Sequence, residues 1–281
     1  MDRTPALPSP EQQRLLDAWL PGAEVVRDHS WGQVDRAVLE VTRAGQRFIV
    51  KAGGPGDHHM AREIQAHERW LEPWTSRARA PRLAHADRGA HLLVTHHVPG
   101  TLVLDTDHAH DSATYRQAGE LLALLHGQHA TTDPDHEARE NHRSLAWLDT
   151  PHRIAPRTVE RLRAVIASWP TPPATLVPTH GDWQPRNWLV DDGVVSVIDF
   201  GRAALRPAMT DLARLQVQQF RGHPELEQAF LDGYGADPRE PCAWQRTLVR
   251  EAVSTAAWAH QVGDAEFEAQ GLRMVDDALA P

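Results

Sequence analysis

Apolar and polar residues alternate along two short stretches near the start of the chain, residues 34–42 and 46–52. The turn sequence RAGQ joins them, and both stretches are rich in β-branched side chains. A period of two predicts strands, and the glycine predicts a tight turn, so we expect a β-hairpin. Residues 82–87 and 90–98 show the same features and predict two more strands of the sheet.

Apolar residues at helical spacing predict the helices of the chain. In the first hundred residues they mark a short helix at 10–20 and a second helix at 60–74, and this part is predicted to be a small sheet that carries one helix. Beyond residue 112 the helical period predominates, and it marks residues 112–129, 157–169, 209–220, 225–235 and 245–262. The polar stretch 131–145 predicts an exposed loop instead.

One further hairpin is predicted inside the helical part. Residues 188–190 and 194–200 are apolar and flank the sequence Asp-Asp-Gly. An Asp-Gly pair between two short apolar runs indicates a two-residue hairpin turn. The patterning therefore predicts an α+β chain, with a sheet-rich N-terminal part and a mainly helical C-terminal part.

Composition narrows the class of protein. The chain has 281 residues and one cysteine, Cys242, with no apolar run long enough for a membrane span and no signal-peptide core at its start. We therefore expect a cytoplasmic protein without disulfides and without a membrane partner. The net charge of −9 argues against nucleic acid as a partner.

The excess negative charge is unevenly distributed. Residues 98–281 hold 16 Lys and Arg against 26 Asp and Glu, whereas residues 1–97 are close to neutral. An acidic cleft in the C-terminal part would concentrate a small cationic molecule, although a solubilising surface would give the same count.

Three oxygen-bearing side chains flank the second hairpin. Asp182 and Asn187 precede it, and Asp199 ends its second strand. A hairpin brings its flanking loops together, so these side chains are expected to converge. Two hard oxygen donors and a separate carboxylate suit Mg²⁺-dependent phosphoryl transfer, in which the carboxylate orients the attacking hydroxyl.

The order and spacing of these residues resemble a known family. His180-Gly181-Asp182, then Asn187, then Ile198-Asp199-Phe200-Gly201, is similar to the catalytic and metal-binding loops of the aminoglycoside phosphotransferases. These enzymes are relatives of the protein kinases and of choline kinase. The resemblance implies a bilobal protein-kinase-like fold, with an N-terminal nucleotide-binding lobe at 1–97 and a catalytic and acceptor-binding lobe at 98–281.

The resemblance also assigns roles. Asp182 matches the catalytic hydroxyl-orienting residue, Asn187 and Asp199 the Mg²⁺ ligands, and His180 a supporting residue of the loop. Lys51, which is the single lysine of the sequence, matches the lysine that holds the nucleotide phosphates, and Glu63 its ion-pair partner.

Further nucleotide contacts follow from the same resemblance. Ser30, with Trp31 and Gly32, matches the lid over the nucleotide. Val94 and Thr95 belong to a stretch that resembles the linker between the lobes. The implied cofactors are ATP or GTP and Mg²⁺, and the implied partner is a small cationic acceptor.

Several interpretations stay open at this stage. Arg186 and Arg202 are equally suited to touching phosphate and to balancing carboxylates, and Trp183 is suited either to border the acceptor or to pack. The histidines near Asp105 allow a zinc site without matching a zinc motif. Candidates for acceptor binding are Asp211, Glu251, Asp264 and Glu268.

The acceptor itself is also open. A basic antibiotic, either an aminoglycoside or a cyclic peptide of the capreomycin or viomycin type, is the preferred substrate. A metabolite kinase acting on choline, a sugar or an amino acid is the alternative, and a noncatalytic nucleotide-binding protein is a second one.

Overall fold

The computed structural model describes residues 8–30 and 35–280. The helices are α1 (Pro10–Trp19), α2 (His58–Arg69), α3 (Glu72–Thr75), α4 (Ser112–His126), α5 (His136–Trp147), α6 (Pro156–Ser168), α7 (Ala213–Gln218), α8 (Pro224–Tyr234), α9 (Pro241–Val262) and α10 (Ala265–Ala278). The strands are β1 (Glu24–Asp28), β2 (Arg36–Arg43), β3 (Gln46–Gly53), β4 (Leu83–Asp87), β5 (Leu92–His96), β6 (Thr101–Leu102), β7 (Thr131–Asp133), β8 (Ala174–Thr179), β9 (Trp188–Asp191), β10 (Val194–Val197) and β11 (Ala204–Arg206).

The chain forms two compact units, and each combines segments that are distant in sequence. The first unit holds the described residues up to Gln128 together with His180–Ala204 and Glu225–Gly235. The second holds His129–Thr179, Leu205–Pro224 and the described residues from Ala236 onwards. The predicted division at residue 97 stays a prediction.

A five-stranded antiparallel sheet forms the N-terminal part of the first unit, in the order β1-β2-β3-β5-β4. The predicted β2–β3 hairpin is present, with Arg43 opposite Gln46 and positive φ values of 49° at Ala44 and 76° at Gly45. Two successive left-handed residues give the tight turn that fits the strand twist. Every residue of β1 is exposed, so this strand has no alternating pattern that a sequence could reveal.

The two faces of this sheet carry different helices. Phe48 and Val50 of β3 point to one face and pack with α1 in an apolar core. Lys51 points to the opposite face because successive residues of a strand alternate. Leu93 lies directly across from it on β5 and packs against Met60 and Ile64 of α2. The fold thus turns Lys51 towards α2.

Helix α2 is shorter than the sequence pattern predicts. It begins after Asp57, whose carboxylate accepts hydrogen bonds from the first-turn amides of His59 and Met60. It ends at Arg69, and α3 follows as a separate short turn of helix. A side-chain cap of this kind stabilises a helix start by about 1 kcal/mol.

The predicted second hairpin is formed by β9 and β10. Asp191 pairs with Val194, and Asp192 and Gly193 have positive φ values of 47° and 74°. Regular pairing ends at Val197, and the chain then turns at Asp199, whose φ is 66°.

The second unit contains a small sheet of β7, β8 and β11 and a helical core around α6, α9 and α10. Residues 131–145 were predicted to form an exposed loop, and this prediction is wrong because α5 occupies most of the segment. The inward face of α5 is polar: Glu137 is buried and pairs with Arg246 and Arg250 of α9 at 2.8 and 2.9 Å. A helix that buries ion pairs instead of apolar residues leaves no hydrophobic period in the sequence.

No helix in the part of the chain that the structure describes has the length and apolar character needed to cross a membrane. Apart from its short strands, the C-terminal region is helical, as predicted. The α+β class with a sheet-bearing N-terminal region is confirmed.

Candidate active site

Lys51 lies between two carboxylates of the first unit. Its Nζ is 2.5 Å from Glu63 Oε1 on α2 and 3.2 Å from Asp199 Oδ1 in the loop after β10. Glu63 is almost fully buried, whereas the Asp199 side chain is 45% exposed. The predicted pair of Lys51 and Glu63 is therefore present, and Asp199 joins it.

The charges of this cluster stabilise one another. Burial would lower the pKa of the Lys51 ammonium, but the negative charges of Asp199 and Glu63 outweigh burial and raise it. The Lys51 charge lowers the pKa of Asp199 to about 2, against the opposing effect of burial. Lys51 and Asp199 are therefore both charged over the physiological range.

An ammonium group has three N–H donors. Within the described residues Glu63 and Asp199 take one each, which leaves one donor of Lys51 for a ligand oxygen. Asp199 keeps a half-exposed carboxylate, so it too has a face towards solvent. The cluster thus joins a fixed cation to an accessible anion.

Phe200 anchors the loop that carries Asp199. Its ring is buried against Trp74, His67 and His180, with centroid distances of 5.9, 5.3 and 5.3 Å. Burial lowers the pKa of His67 to about 3, so this histidine is neutral and packs as an aromatic ring. An anchored Phe200 holds the neighbouring Asp199 in its positive-φ conformation.

Asp182 lies in the loop before β9 and is only 4% exposed. Its Oδ1 accepts a hydrogen bond from Gln184 at 2.5 Å, and its Oδ2 accepts one each from Arg186 at 2.7 Å and Asn187 at 3.1 Å. Three donors hold the carboxylate in a single orientation. Gln184 was not a predicted site residue, and nothing in its local sequence pattern indicates this contact.

Asn187 connects the two loops of the site. Its amide nitrogen donates to the Asp182 carbonyl at 2.8 Å, and its backbone carbonyl accepts from Ile198 N at 3.0 Å. Because the amide nitrogen faces Asp182, the amide oxygen points away from it. The structure therefore brings Asp182, Asn187 and the Asp199 loop together, as the hairpin argument predicts.

His180 supports the loop that carries Asp182. Its Nδ1 accepts from the Asp182 backbone amide at 3.2 Å, and its Nε2 contacts the Ile198 carbonyl at 3.1 Å. The ring is fully buried, which agrees with the structural role expected from the sequence.

The remaining predicted nucleotide contacts differ in how accessible they are. Val94 and Thr95 lie inside β5, paired with β3 and β4, and their side chains are buried. The stretch that resembles the inter-lobe linker is therefore part of strand β5, and the chain leaves this strand after His96. Ser30 is exposed, and its hydroxyl accepts from Val38 N at 3.0 Å. Trp31 and Gly32 of the predicted lid lie outside the described residues.

Trp183 packs and does not border open space. It is 1% exposed and lies against Trp74 and Trp188, each at a centroid distance of 5.6 Å. The packing interpretation of this residue is the one that the structure supports.

The four candidate acceptor carboxylates lie in the second unit. Glu251 pairs with Arg214 at 3.0 Å, Asp264 caps α10, and Glu268 lies 2.9 Å from His260. Asp211 is buried. A role of these residues in acceptor binding stays a prediction.

No group of three or more histidine, cysteine or acidic side chains is placed to hold a metal within residues 8–30 and 35–280. The histidines near Asp105 are not part of such a group in the described residues. A magnesium ion bound by one or two protein ligands and by phosphate oxygens does not need such a group.

The sequence profile of the phosphotransferase enzyme family (APH) matches residues 25–244. The chain belongs to this family. The match includes both loops of the site together with Lys51 and Glu63. The chain is therefore a kinase-like phosphotransferase, an enzyme with an alcohol group as acceptor.

Solved structures agree on the fold. A ternary complex of a thermostable mutant of aminoglycoside phosphotransferase APH(4)-Ia with ADP and hygromycin B matches with a TM-score of 0.69, 13% identity and coverage of 95% of this chain and 97% of that one. Macrolide 2′-phosphotransferase MphH from Brachybacterium faecium matches at 0.61, with 20% identity and coverage of 93% and 98%. Choline kinase LicA from Streptococcus pneumoniae matches at 0.66, with 15% identity and coverage of 95% and 96%. No curated protein matches the sequence.

The sequence identities to these structures are low, so the likeness shows the fold alone, which is protein-kinase-like. The three neighbours act on different acceptors by name, so the likeness leaves the acceptor of this family member undefined.

Proposed function

We propose that this phosphotransferase transfers the γ-phosphoryl group of ATP or GTP to a hydroxyl of a small cationic antibiotic, an aminoglycoside or a basic cyclic peptide such as capreomycin or viomycin. The observation that carries the proposal is the Lys51 cluster: a buried lysine held by Glu63 and Asp199, with one N–H donor left for a phosphate oxygen.

The donor set of the two loops fits Mg²⁺. Asn187 would bind through its amide oxygen, which points away from Asp182, and Asp199 through its half-exposed carboxylate. Both are hard oxygen ligands, and the remaining ligands of such an ion are water and phosphate oxygens. When bound, the ion would neutralise charge on the phosphate chain.

The protein's own residues would divide the work of an in-line transfer. Lys51 anchors the phosphates, and Asp182 orients the acceptor hydroxyl, whose proton moves towards this carboxylate as its oxygen bonds to the γ-phosphorus. The bond from the γ-phosphorus to the β–γ bridging oxygen breaks, and the nucleoside diphosphate leaves with that oxygen. Gln184, Arg186 and Asn187 keep Asp182 aimed. Catalysis then rests on positioning and on fixed charges, as is usual for phosphoryl transfer.

The cationic character of the acceptor is supported by the charge distribution, because residues 98–281 carry a net charge of −10. Such a field attracts cations and raises their local concentration. A polycationic antibiotic gains more from it than a singly charged metabolite.

The test is release of ADP or GDP by the purified protein with Mg²⁺, across aminoglycosides, capreomycin, viomycin, choline and simple sugars, with mass spectrometry of the acceptor. We expect turnover with one basic antibiotic. Turnover confined to choline or a sugar would replace the antibiotic by a metabolite. Nucleotide binding without turnover on any acceptor would favour a noncatalytic protein.

A pair of variants separates the site from contaminating activity. Asp182→Asn removes the orienting carboxylate, whereas Asp17→Asn changes an exposed carboxylate on α1. Turnover should be lost in the first and kept in the second.

A further inference from the structure

A small space lies beside Gly201, in the loop that carries Asp199. A Cβ atom placed on Gly201 would lie 3.3 Å from His59 Cβ, 3.6 Å from Arg36 Nη1 and 3.7 Å from Asp199 Oδ1. The φ angle of Gly201 lies outside the left-handed region, so the backbone conformation does not itself require glycine. Arg36 and Asp199 thus both lie next to the position that a side chain on residue 201 would occupy.

Arg36 is the first residue of β2. Its Nε and Nη2 bind the Asp57 carboxylate at 2.8 and 2.7 Å in a two-pronged pair. Nη1 has no hydrogen-bond partner among the described residues, although the side chain is only 17% exposed. A held guanidinium with unused donors is the arrangement that recognises phosphate oxygens.

The surroundings keep this group charged and in place. Burial would lower the pKa of Arg36, but Asp57, Glu63 and Asp199 outweigh it and raise the pKa. Asp57 is itself fixed as the cap of α2, and His59 Nδ1 lies 2.9 Å from the Gly201 carbonyl, to which it donates. The first turn of α2 therefore fastens both Arg36 and Gly201.

Arg36 and Lys51 both lie close enough to Asp199 to lower the pKa of its carboxyl group. Asp199 Oδ1 is 3.2 Å from Lys51 Nζ and 3.7 Å from the point that Arg36 Nη1 faces. Two cations therefore share one accessible carboxylate. A phosphate chain is the ligand class that would use both, because its charges are spaced along several oxygens.

We propose that Arg36 is a second phosphate-binding cation of this site, and that its Nη1 binds an oxygen of the β- or γ-phosphate of a nucleoside di- or triphosphate above Gly201. The proposal rests on the proposed function, since it assumes that the nucleotide phosphates lie at the Lys51 cluster. If Arg36 were only a brace, a residue that holds β2 against α2, its contact with Asp57 would be sufficient.

Binding as a function of phosphate number distinguishes the two roles. Dissociation constants for AMP, ADP and a nonhydrolysable ATP analogue are measured by calorimetry, with and without Mg²⁺, for the wild-type protein and for Arg36→Gln. We expect Arg36→Gln to weaken binding of ADP and of the analogue roughly tenfold or more, the value of a charge-assisted hydrogen bond, and to change AMP binding by less than about threefold.

Matched variants control for lost structure. Asp57→Asn weakens the same ion pair but keeps the guanidinium, so the preference for longer phosphate chains should persist. Arg47→Gln removes an arginine of the same sheet that pairs with Glu40, and it should leave nucleotide binding unchanged. Gly201→Ala leaves the ion pair intact and fills the space, so it should reproduce the phosphate-dependent loss even if Arg36→Gln does not fold.

Each result supports or overturns the inference. Equal weakening of AMP, ADP and the analogue in Arg36→Gln, or full binding of all three, would show that Arg36 is only a brace. Unchanged affinities in Gly201→Ala would lead to the same conclusion. Failure of the wild-type protein to bind any of the nucleotides would instead overturn the proposed function, and this inference with it.

Discussion

Replacing Lys51 with methionine tests the cluster at the centre of the site. The change keeps an unbranched side chain, one atom shorter, and removes its charge, which leaves Glu63 buried at 2% exposure without its partner at 2.5 Å. The second oxygen of Glu63, Oε2, already has no hydrogen-bond partner within the described residues. Little else in the surroundings can compensate for the lost ammonium.

The magnitude follows from the burial of each partner. Removing one member of a buried ion pair costs about 3–5 kcal/mol, because the other charge stays buried without compensation. The contact with Asp199 is weaker than the contact with Glu63, since its carboxylate is 45% exposed and water screens it in part. We therefore expect Lys51→Met to lower the free energy of unfolding by about 3 kcal/mol.

Urea and thermal unfolding measure this loss, and two further variants interpret it. Lys51→Met combined with Glu63→Leu removes the stranded charge and should recover most of the stability, yet no phosphotransfer. Arg88→Met disrupts an exposed pair with Glu68 and should cost less than about 1 kcal/mol. A Lys51→Met protein as stable as the Arg88→Met protein, or a double variant no more stable than Lys51→Met alone, would refute the reasoning.

Three other outcomes follow from the structure. Asp182→Ala should lower turnover about a hundredfold or more while nucleotide affinity, measured by calorimetry, stays near that of the wild-type protein; near-normal turnover would contradict the role of Asp182. Lys51 lowers the pKa of Asp199 to about 2 from an ordinary 3.8, so their interaction stabilises the fold above pH 4 and is lost as the pH falls towards 2. Asp199→Asn should therefore flatten the acid-unfolding curve in that interval. Gly119→Ala would place a Cβ 2.1 Å from the Phe230 carbonyl oxygen where α4 meets α8, and it should lower the unfolding free energy by about 1–3 kcal/mol; an unchanged melting temperature would show that the helices can separate freely.

Local patterning predicts the elements that carry the site. The β2–β3 and β9–β10 hairpins follow from alternation and from turn residues that tolerate positive φ, such as Gly45 and Gly193. These signals are confined to a few neighbouring residues, so they survive in any tertiary context. The ion pair of Lys51 with Glu63 was predicted from the family resemblance and is present.

Helix α5 shows where such patterning fails. Its buried positions include His136, Glu137 and Ser144, which read as surface residues in a sequence. The burial of Glu137 depends on Arg246 and Arg250 of α9, more than a hundred residues away. No window along the chain contains both halves of this interaction.

The same limit explains why Arg36 is absent from any prediction made on the sequence. Lys51 and Asp199 are 148 residues apart, and His59 and Gly201 are 142 apart, so the site exists only where distant segments meet. The family resemblance could join Lys51 to Asp199 because both match family motifs. Arg36 matches none, and its position beside Gly201 depends on the cap at Asp57 and on the space left by a glycine. Residues of this kind are visible only once the backbone is folded, and they are the ones on which members of a family with shared motifs can differ.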